Sequence, residues 1–365
     1  MVIGETQIAG GPDAIDMAAL YLQRGEVVAV PTETVYGLAA DAQNQDAVVK
    51  IFQAKNRPAN NPLITHVLSA AHAAHLTGSW PKSARILASA FWPGPLTLIL
   101  PSAEKLAPAV SAGLPTVGIR VPAHPIMRTI LEKSERPLAA PSANTSGHVS
   151  PTTAEHVLTD LRGRIKLIVD GGSCAVGIES TVVGFEDEQP VIYRPGIITA
   201  EDIQGALGLA GISTPVRHHV AQGSEQPLPS PGLLSRHYAP HRPTHLFMRS
   251  DVAHLESMLG SRLTRSGRPG VISFGPLPRT PDNASWIMLP EDLYHAAGEL
   301  YRAMRSLDRD DISAILIELP GTRQLSIRSG DASEINDVIP RLSGMARVLA
   351  DRLMRASMPW PEAHR

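Results

Sequence analysis

The chain has 365 residues, a formal net charge of −2, 43% hydrophobic and 4% aromatic residues, and one cysteine. That length favours two domains over one. The charge supplies no basic field for holding a polyanion such as tRNA, and the lone Cys174 excludes an internal disulfide or a cysteine-cluster metal site. With no signal peptide and no apolar run long enough to span a bilayer, the chain is expected to be cytoplasmic.

Short apolar runs alternate with helical stretches through the first part, the pattern of an α/β sheet domain. Val27–Val30 is expected as a buried strand, followed by a helix over Asp46–Lys55 with Val48, Val49 and Phe52 on one face. Further strands are expected at Leu63–Val67, Leu96–Leu100, Val117–Val121, Leu138–Ala140, Leu167–Val169 and Thr181–Phe185. Helices are expected at Lys82–Phe91, Pro125–Lys133, Thr153–Leu161 and Ala200–Leu207, with Thr152 or Thr153 offering an N-cap for the third. This first domain covers residues 1–210.

Residues 211–243 are rich in Pro, Ser, Gly, Gln and His and lack apolar periodicity, so they are expected to form a linker. A smaller domain over residues 244–353 follows, with a tail from 354 to 365. Its expected strands are His245–Met248, Val271–Phe274, Trp286–Leu289 and Ala314–Glu318. Its expected helices are Val252–Leu263, Leu293–Leu307 and Ile335–Leu353, the last beginning near Ser333. That alternation suggests a small Rossmann-like α/β sheet without a phosphate fingerprint.

The chemistry-bearing features start with Lys55-Asn56-Arg57-Pro58, then Asn61, and a distant Pro141-Ser142-Ala143-Asn144. The dipeptide Gly-Lys never occurs and no convincing G-x-G-x-x-G follows a strand, so phosphate would be held by side chains. Arg57 can grip phosphate oxygens bidentately while Lys55 offers a point charge. By residue type alone the same segment is equally a solvated basic turn at a helix end. Arg120 projects from an apolar strand, where a charge is costly without a partner, and a substrate carboxylate would serve as one. His66 alone reads as a hydrogen-bonded core histidine. Cys174 sits in a turn with no base in view and reads as structural.

Taken in order, the motifs carry a resemblance. They are Pro31-Thr32-Glu33-Thr34-Val35-Tyr36-Gly37-Leu38, Lys55-Asn56-Arg57, Pro93-Gly94-Pro95-Leu96-Thr97, Gly118-Ile119-Arg120, Ser142-Ala143-Asn144, Glu179-Ser180-Thr181 and Arg194-Pro195-Gly196. The series resembles the threonylcarbamoyl-AMP synthase family, whose catalytic part is the YrdC-like domain. Ser230-Pro231-Gly232 and Arg236-His237-Tyr238-Ala239-Pro240 resemble the linker of its long, two-domain form.

The resemblance implies a twisted mixed-sheet catalytic domain plus a smaller C-terminal Rossmann-like one. It implies synthesis of L-threonylcarbamoyladenylate from L-threonine, bicarbonate and ATP with release of pyrophosphate. That product would supply a separate transferase that makes N6-threonylcarbamoyladenosine in tRNA, so tight binding of nucleic acid is not expected here. By the same carry-over Lys55 and Arg57 are catalytic. Together with Asn61, Thr116, Ser142, Asn144, Ser150, Arg194, His237 and Tyr238 they bind ATP, the linker folding over the site. Thr34, Tyr36, His66, Arg120, the Ala140 backbone and Ser180 bind threonine. Mg²⁺ is expected to arrive on the ATP phosphates, with no metal site of the protein's own.

Two rivals are weighed. A hydrogenase-type carbamoyl-adenylating maturation protein shares the YrdC-like domain but also carries zinc fingers, which one cysteine excludes. A non-enzymatic RNA-binding module fits poorly with a net charge of −2 and few aromatics for base stacking.

Overall fold

The computed structural model describes residues 5–219, 237–249, 267–277, 284–322, 338 and 341–358. The chain divides into two compact units, residues 1–146 with 150–234 and residues 147–149 with 235–365.

In the first unit β1 (Gln7–Ala9), α1 (Gly11–Gln23), β2 (Val28–Val30), β3 (Gly37–Asp41) and α2 (Gln45–Lys55) come first. Then follow β4 (Ile64–His66), α3 (Ala70–Leu76), α4 (Lys82–Phe91), β5 (Leu96–Pro101), α5 (Pro108–Ser111) and β6 (Thr116–Arg120). Next are α6 (Pro125–Ser134), β7 (Leu138–Ala139), α7 (Ala154–Leu161) and β8 (Leu167–Val169). The unit closes with β9 (Thr181–Glu186), β10 (Gln189–Arg194), α8 (Ala200–Leu209) and β11 (Arg217–His218). Among the described residues the strands make one sheet in the order β1-β8-β2-β3-β7-β4-β6-β5-β9-β10-β11. It is mixed: β4 and β6 run parallel, while β7 lies antiparallel to β4 and β5 antiparallel to β6.

The strand period of two sorts side chains between two helical layers. Val28 and Val30 pack with Ala14, Ala18 and Leu22 of α1 and with Met127, Ile130 and Leu131 of α6. Ala29, between them, packs in the opposite layer with Val48 and Ile51 of α2 and Val157 of α7. Leu138 belongs to the α1/α6 layer and is the register partner of His66, which in turn partners Arg120. His66 and Arg120 therefore continue the face that α1 and α6 cover further along the sheet. The opposite face of β5, through Leu96, Leu98 and Leu100, is sealed by α4 and α8.

Local signals explain several boundaries. Asn44 caps α2 by accepting from the backbone of Asp46 and Ala47, both at 3.1 Å. Asn56 ends the helix in the left-handed conformation, φ 51°. Thr153 caps α7, and Thr199 with Asp202 forms a reciprocal capping box on α8. The expected apolar face of α2 needs correction: Val48 is buried, but Val49 and Phe52 are only half-buried. The inward stripe is Ala47, Val48, Ile51, Ala54 and Lys55.

In the second unit β12 (Thr244–Phe247), β13 (Arg268–Phe274), β14 (Ser285–Leu289), α9 (Leu293–Leu307), β15 (Ile312–Glu318) and α10 (Gly344–Ala356) follow in sequence. The strands are all parallel in the order β12-β15-β13-β14, the Rossmann-like arrangement expected. α9 begins at its Asp292 cap and buries Ala296, Ala297, Leu300, Tyr301, Met304 and Leu307 on one face. The terminal helix starts at Gly344 rather than near Ser333, and residues 341–343 are not α-helical. The expected helix ran through Pro340, which lacks the N–H that a helix interior requires. The expected helix Val252–Leu263 and linker residues 220–236 lie outside the described residues. Of the remaining linker, Arg217 and His218 pair with β10, and His237 and Tyr238 belong to the second unit.

At the carboxyl end of β15, Glu318 is 2% exposed and accepts from Arg249 Nε at 2.7 Å and from the Phe274 backbone N–H at 2.7 Å. Glu318→Ala is expected to destabilise the second unit by about 3–5 kcal/mol, because it strands Arg249 and a buried N–H. Chemical denaturation followed by tryptophan fluorescence measures it.

Candidate functional site

The C-terminal turn of α2 delivers two cations. Lys55 is 1% exposed, and its Nζ donates to the carbonyls of Ser142 and Asn144, each at 2.5 Å, with Asn144 Oδ1 at 3.5 Å. In return the Ser146 backbone N–H donates to the Lys55 carbonyl at 2.9 Å. Three acceptors around one nitrogen match an ammonium, which has three donors and no lone pair. Burial, and then the like charge of Arg57, lowers its pKa well below that of a free lysine, against the pull of Asp160.

Beyond the left-handed Asn56, Arg57 folds back on its own loop. Its Nε donates to the Asn61 carbonyl at 3.1 Å and its Nη2 to the Pro62 carbonyl at 2.8 Å, while Nη1 has no protein acceptor among the described residues. Burial and the neighbouring Arg194 lower its pKa to about 9, so it stays charged at neutral pH. Beside it Asn61 is 0% exposed, and neither its amide oxygen nor its amide nitrogen has a partner among the described residues. A fully buried amide with both ends unmet is uncommon and costly.

The loop after β7 is tied internally. Ser142 Oγ donates to Asn144 Oδ1 at 2.6 Å, and Asn144 Nδ2 donates to the Thr145 carbonyl at 2.9 Å. Ser150 donates to Glu179 Oε1 at 2.5 Å. Arg194 donates through Nε and Nη2 to the Ser180 carbonyl at 3.1 and 3.0 Å and through Nη2 to Ser180 Oγ at 3.1 Å; Ser180 Oγ also lies 2.8 Å from Thr97 Oγ1. Gly196 permits this turn, because a Cβ there would sit 2.3 Å from the Thr181 backbone nitrogen.

A second cluster surrounds Arg120, which is 3% exposed. Its partner is Glu33: Arg120 Nη2 donates to Glu33 Oε1 at 2.6 Å, Nη1 to Thr34 Oγ1 at 3.0 Å, and Nε to the Gly94 carbonyl at 3.2 Å. Arg120 thus has a carboxylate partner within the chain, beside the substrate carboxylate that the sequence offers as a suitable one. Of the five N–H donors on a guanidinium, these bonds engage three and leave two. Burial tends to raise the Glu33 carboxyl, but the Arg120 charge and hydrogen bond outweigh it and hold the pKa below the ordinary value. His66, beside Arg120 in register, is 3% exposed, and its Nδ1 has no partner among the described residues. Burial and the Arg120 charge push it down to about 3, so the ring is neutral at physiological pH.

Tyr36 is pinned elsewhere in the same unit, its hydroxyl donating to the Gly172 carbonyl at 2.8 Å and accepting from the Gly171 N–H at 3.0 Å. The Ala140 backbone N–H donates to the Ile64 carbonyl at 3.0 Å. Thr116, at the start of β6, lines a cavity of about 480 Å³ with Trp80, Phe185 and Tyr193. No hydrogen bond joins it to the Lys55 or Arg120 clusters. His237 and Tyr238 lie within the second unit, where their rings meet edge to face at 4.0 Å. Cys174 is buried, and burial raises its thiol to about 12, as suits a structural cysteine. Among the described residues no group of three His, Cys, Asp or Glu side chains could hold a metal ion, and no helix is long and apolar enough to cross a membrane.

Sequence reasoning quoted Glu33, Thr97 and Glu179 inside motifs without giving them a part. Glu33 carried a usable signal, as the single charge in a run of apolar and hydroxyl residues.

The family described as telomere recombination matches residues 20–196, and the threonylcarbamoyl-AMP synthase C-terminal domain family matches residues 198–357. A Bacillus subtilis threonylcarbamoyl-AMP synthase is 44% identical over 317 residues, covering 83% of this chain and 87% of the relative. A Pyrococcus abyssi protein of the same name is 40% identical, covering 83% and 88%. The crystal structure of P. abyssi Sua5 complexed with L-threonine superposes with a TM-score of 0.83 at 35% identity, covering 96% of this chain and 98% of that one.

The buried His66 and Glu33 make stability fall with acid. His66 ordinarily titrates near 6.5 and in the folded chain near 3. Between those values the unfolded chain binds a proton that the folded one refuses, so stability drops as pH falls through this window. Glu33, depressed when folded, contributes above the ordinary carboxylate pKa, and its contribution is lost as pH falls through its lowered value. A loss on the order of a few kcal/mol between pH 6.5 and 3 is expected. Urea denaturation across pH checks it, and His66→Gln should flatten the upper part of the slope.

Proposed function

Because the chain belongs to the threonylcarbamoyl-AMP synthase family, we propose that it makes L-threonylcarbamoyladenylate from L-threonine, bicarbonate and ATP, releasing pyrophosphate. The amine of threonine and bicarbonate form a carbamate with loss of water. A carbamate oxygen then attacks the α-phosphorus of ATP, and the bond to the β-phosphate breaks. Such a transfer asks the protein for positioning and positive charge rather than covalent help.

The observation that carries this reading is Asn61: a fully buried amide with unmet donor and acceptor, beside an Arg57 that keeps Nη1 uncommitted. A nucleotide's phosphates and sugar supply acceptors and donors of the required kinds. Arg57 and Asn61 are proposed to hold them, with Arg194, Ser142, Asn144 and Ser150 completing the cradle. Lys55 acts by fixing the 142–144 loop, so its catalytic part is positional. His237 and Tyr238 remain in the proposed ATP set on the run Arg236-His237-Tyr238-Ala239-Pro240 alone, and Thr116 on its place ahead of Arg120 in the sequence.

Threonine is proposed to meet Arg120 through its carboxylate, with Thr34, His66, the Ala140 backbone and Ser180 around it and Tyr36 shaping the wall. The oxygen donors nearest Lys55 are neutral carbonyls and an amide already engaged by its ammonium. Mg²⁺ carried on ATP phosphates, with mostly water ligands, is the form that fits such a donor set, and it would offset phosphate charge. The product would pass, in the cytoplasm, to a separate enzyme that transfers the threonylcarbamoyl group to adenosine in tRNA.

Pyrophosphate release from ATP is the test, and it is expected only when threonine and bicarbonate are both present. Serine should serve poorly but measurably, since one methyl is worth roughly 1–3 kcal/mol in a pocket. Arg57→Ala is expected to lower turnover on the order of 10²–10³ with the fold intact. Arg57→Lys should restore it only in part, because the planar fork is lost. Release of pyrophosphate without threonine would contradict the assignment.

A further inference from the structure

We propose that Glu33 is the acceptor for the substrate's α-ammonium group, so that Glu33 and Arg120 together select a zwitterionic amino acid over a simple carboxylate. The inference rests on the reading of Arg120 as the carboxylate-binding residue and adds a second, oppositely charged point of recognition.

Three observations point to it. First, Glu33 uses one carboxylate oxygen, Oε1, on Arg120 at 2.6 Å, and the Glu33 and Ala123 backbones lie close enough to help lower its pKa, while its other oxygen, Oε2, is buried with no partner at hydrogen-bond geometry among the described residues. An ionised carboxylate has room for about four hydrogen bonds, and burying one of its oxygens unmet is costly. Second, the unmet oxygen belongs to the carboxylate that touches Arg120, so acceptor and donors lie side by side. The α-ammonium and α-carboxylate of an amino acid are likewise separated by a single carbon. Arg120 retains two unengaged N–H donors for the carboxylate once its bonds to Glu33, Thr34 and Gly94 are made.

Third, the charges balance. The charges of this pair act on His66 and Cys174, and that of Glu33 on His124. His66 and His124 are both shifted toward the neutral ring and Cys174 toward the neutral thiol, in each case chiefly by burial. Arg120 and Glu33 therefore already cancel. A bare carboxylate entering there would leave one uncompensated negative charge in a site partly closed to water, whereas a zwitterion adds no net charge. The same balance explains why a guanidinium meant for a carboxylate is paired with a second carboxylate: Arg120 alone would favour any small anion.

Calorimetric titration of the full-length chain with L-threonine and with 3-hydroxybutyrate, which keeps the carboxylate and hydroxyl but has hydrogen in place of the amine, tests the proposal. The unaltered chain should prefer threonine by roughly tenfold to a hundredfold, the worth of one buried charge-assisted hydrogen bond. Glu33→Gln keeps the length and an acceptor for Arg120 but removes the charge, and should narrow the preference to within about threefold. Glu33→Asp, which keeps the charge at shorter reach, should fall between the two and serves if the glutamine variant does not fold. Equal affinity of the unaltered chain for both ligands would overturn the proposal, as would an unchanged preference in either variant. Pyrophosphate release by the unaltered chain, measured in parallel, separates this outcome from the functional reading. Activity with an undiminished threonine preference in Glu33→Gln sinks the role of Glu33 alone, whereas selective threonine binding without product sinks the reaction assignment alone.

Discussion

A single ammonium organises the nucleotide end of the first unit. Lys55 emerges from the last turn of α2 with its side chain buried and binds the carbonyls of Ser142 and Asn144, while its own carbonyl accepts from Ser146. Two segments nearly ninety positions apart in sequence are thereby fixed against each other. The cost of burying the charge is offset by three acceptors, and removing any of them would leave it uncompensated. Asn56, left-handed immediately after Lys55, then turns the chain so that Arg57 leaves in a different direction and holds the Asn61–Pro62 backbone. One lysine, one left-handed residue and one arginine thus set two loops, and those loops carry Asn61, Ser142 and Asn144.

The first unit also shows how several arginines can be buried close together without bringing down the fold. Each is tied to backbone or to an anion. Arg57 binds two loop carbonyls, Arg194 the Ser180 carbonyl, and Arg120 the Gly94 carbonyl and Glu33. Arg120 meets the Glu33 carboxylate in an ion pair. The charge of Arg194 lowers the pKa of Arg57. Two guanidinium groups thus act on each other's surroundings where polyphosphate is proposed to bind, while in the region proposed for threonine Arg120 is paired with Glu33.

Much of this was legible in the residues. α4 and α9 have the bounds their apolar stripes implied, and β8 likewise, because a short run of Leu, Ile and Val flanked by turn residues has few alternatives. β3 was not foreseen: Gly37-Leu38-Ala39-Ala40-Asp41 is made of small residues with little strand preference, and tertiary pairing with β2 and β7 decides its conformation. α1 was missed because Gly11 and Pro12 look like a turn, although Pro at the first helical positions is favourable. The inward face of α2 was misread since Lys55 counted as polar, whereas the fold buries it. At the site, motif order nominates the residues proposed, but the Glu33–Arg120 pairing was not legible, because 87 positions separate the two and only the fold brings them together.

The second unit meets polar groups at the carboxyl edge of its parallel sheet from within the chain. Open parallel sheets place ligands beyond the carboxyl ends of their strands. Here those ends are crossed by Arg249, which donates to Glu318 Oε1 at 2.7 Å, to Glu318 Oε2 at 3.2 Å, to the Phe274 carbonyl at 3.0 Å and to the Pro276 carbonyl at 2.7 Å. Glu318 meanwhile accepts the Phe274 N–H. A guanidinium and a carboxylate from the chain itself thus join the ends of β12, β13 and β15. Removing either partner would leave the other charge, or the Phe274 N–H, unmet at that edge.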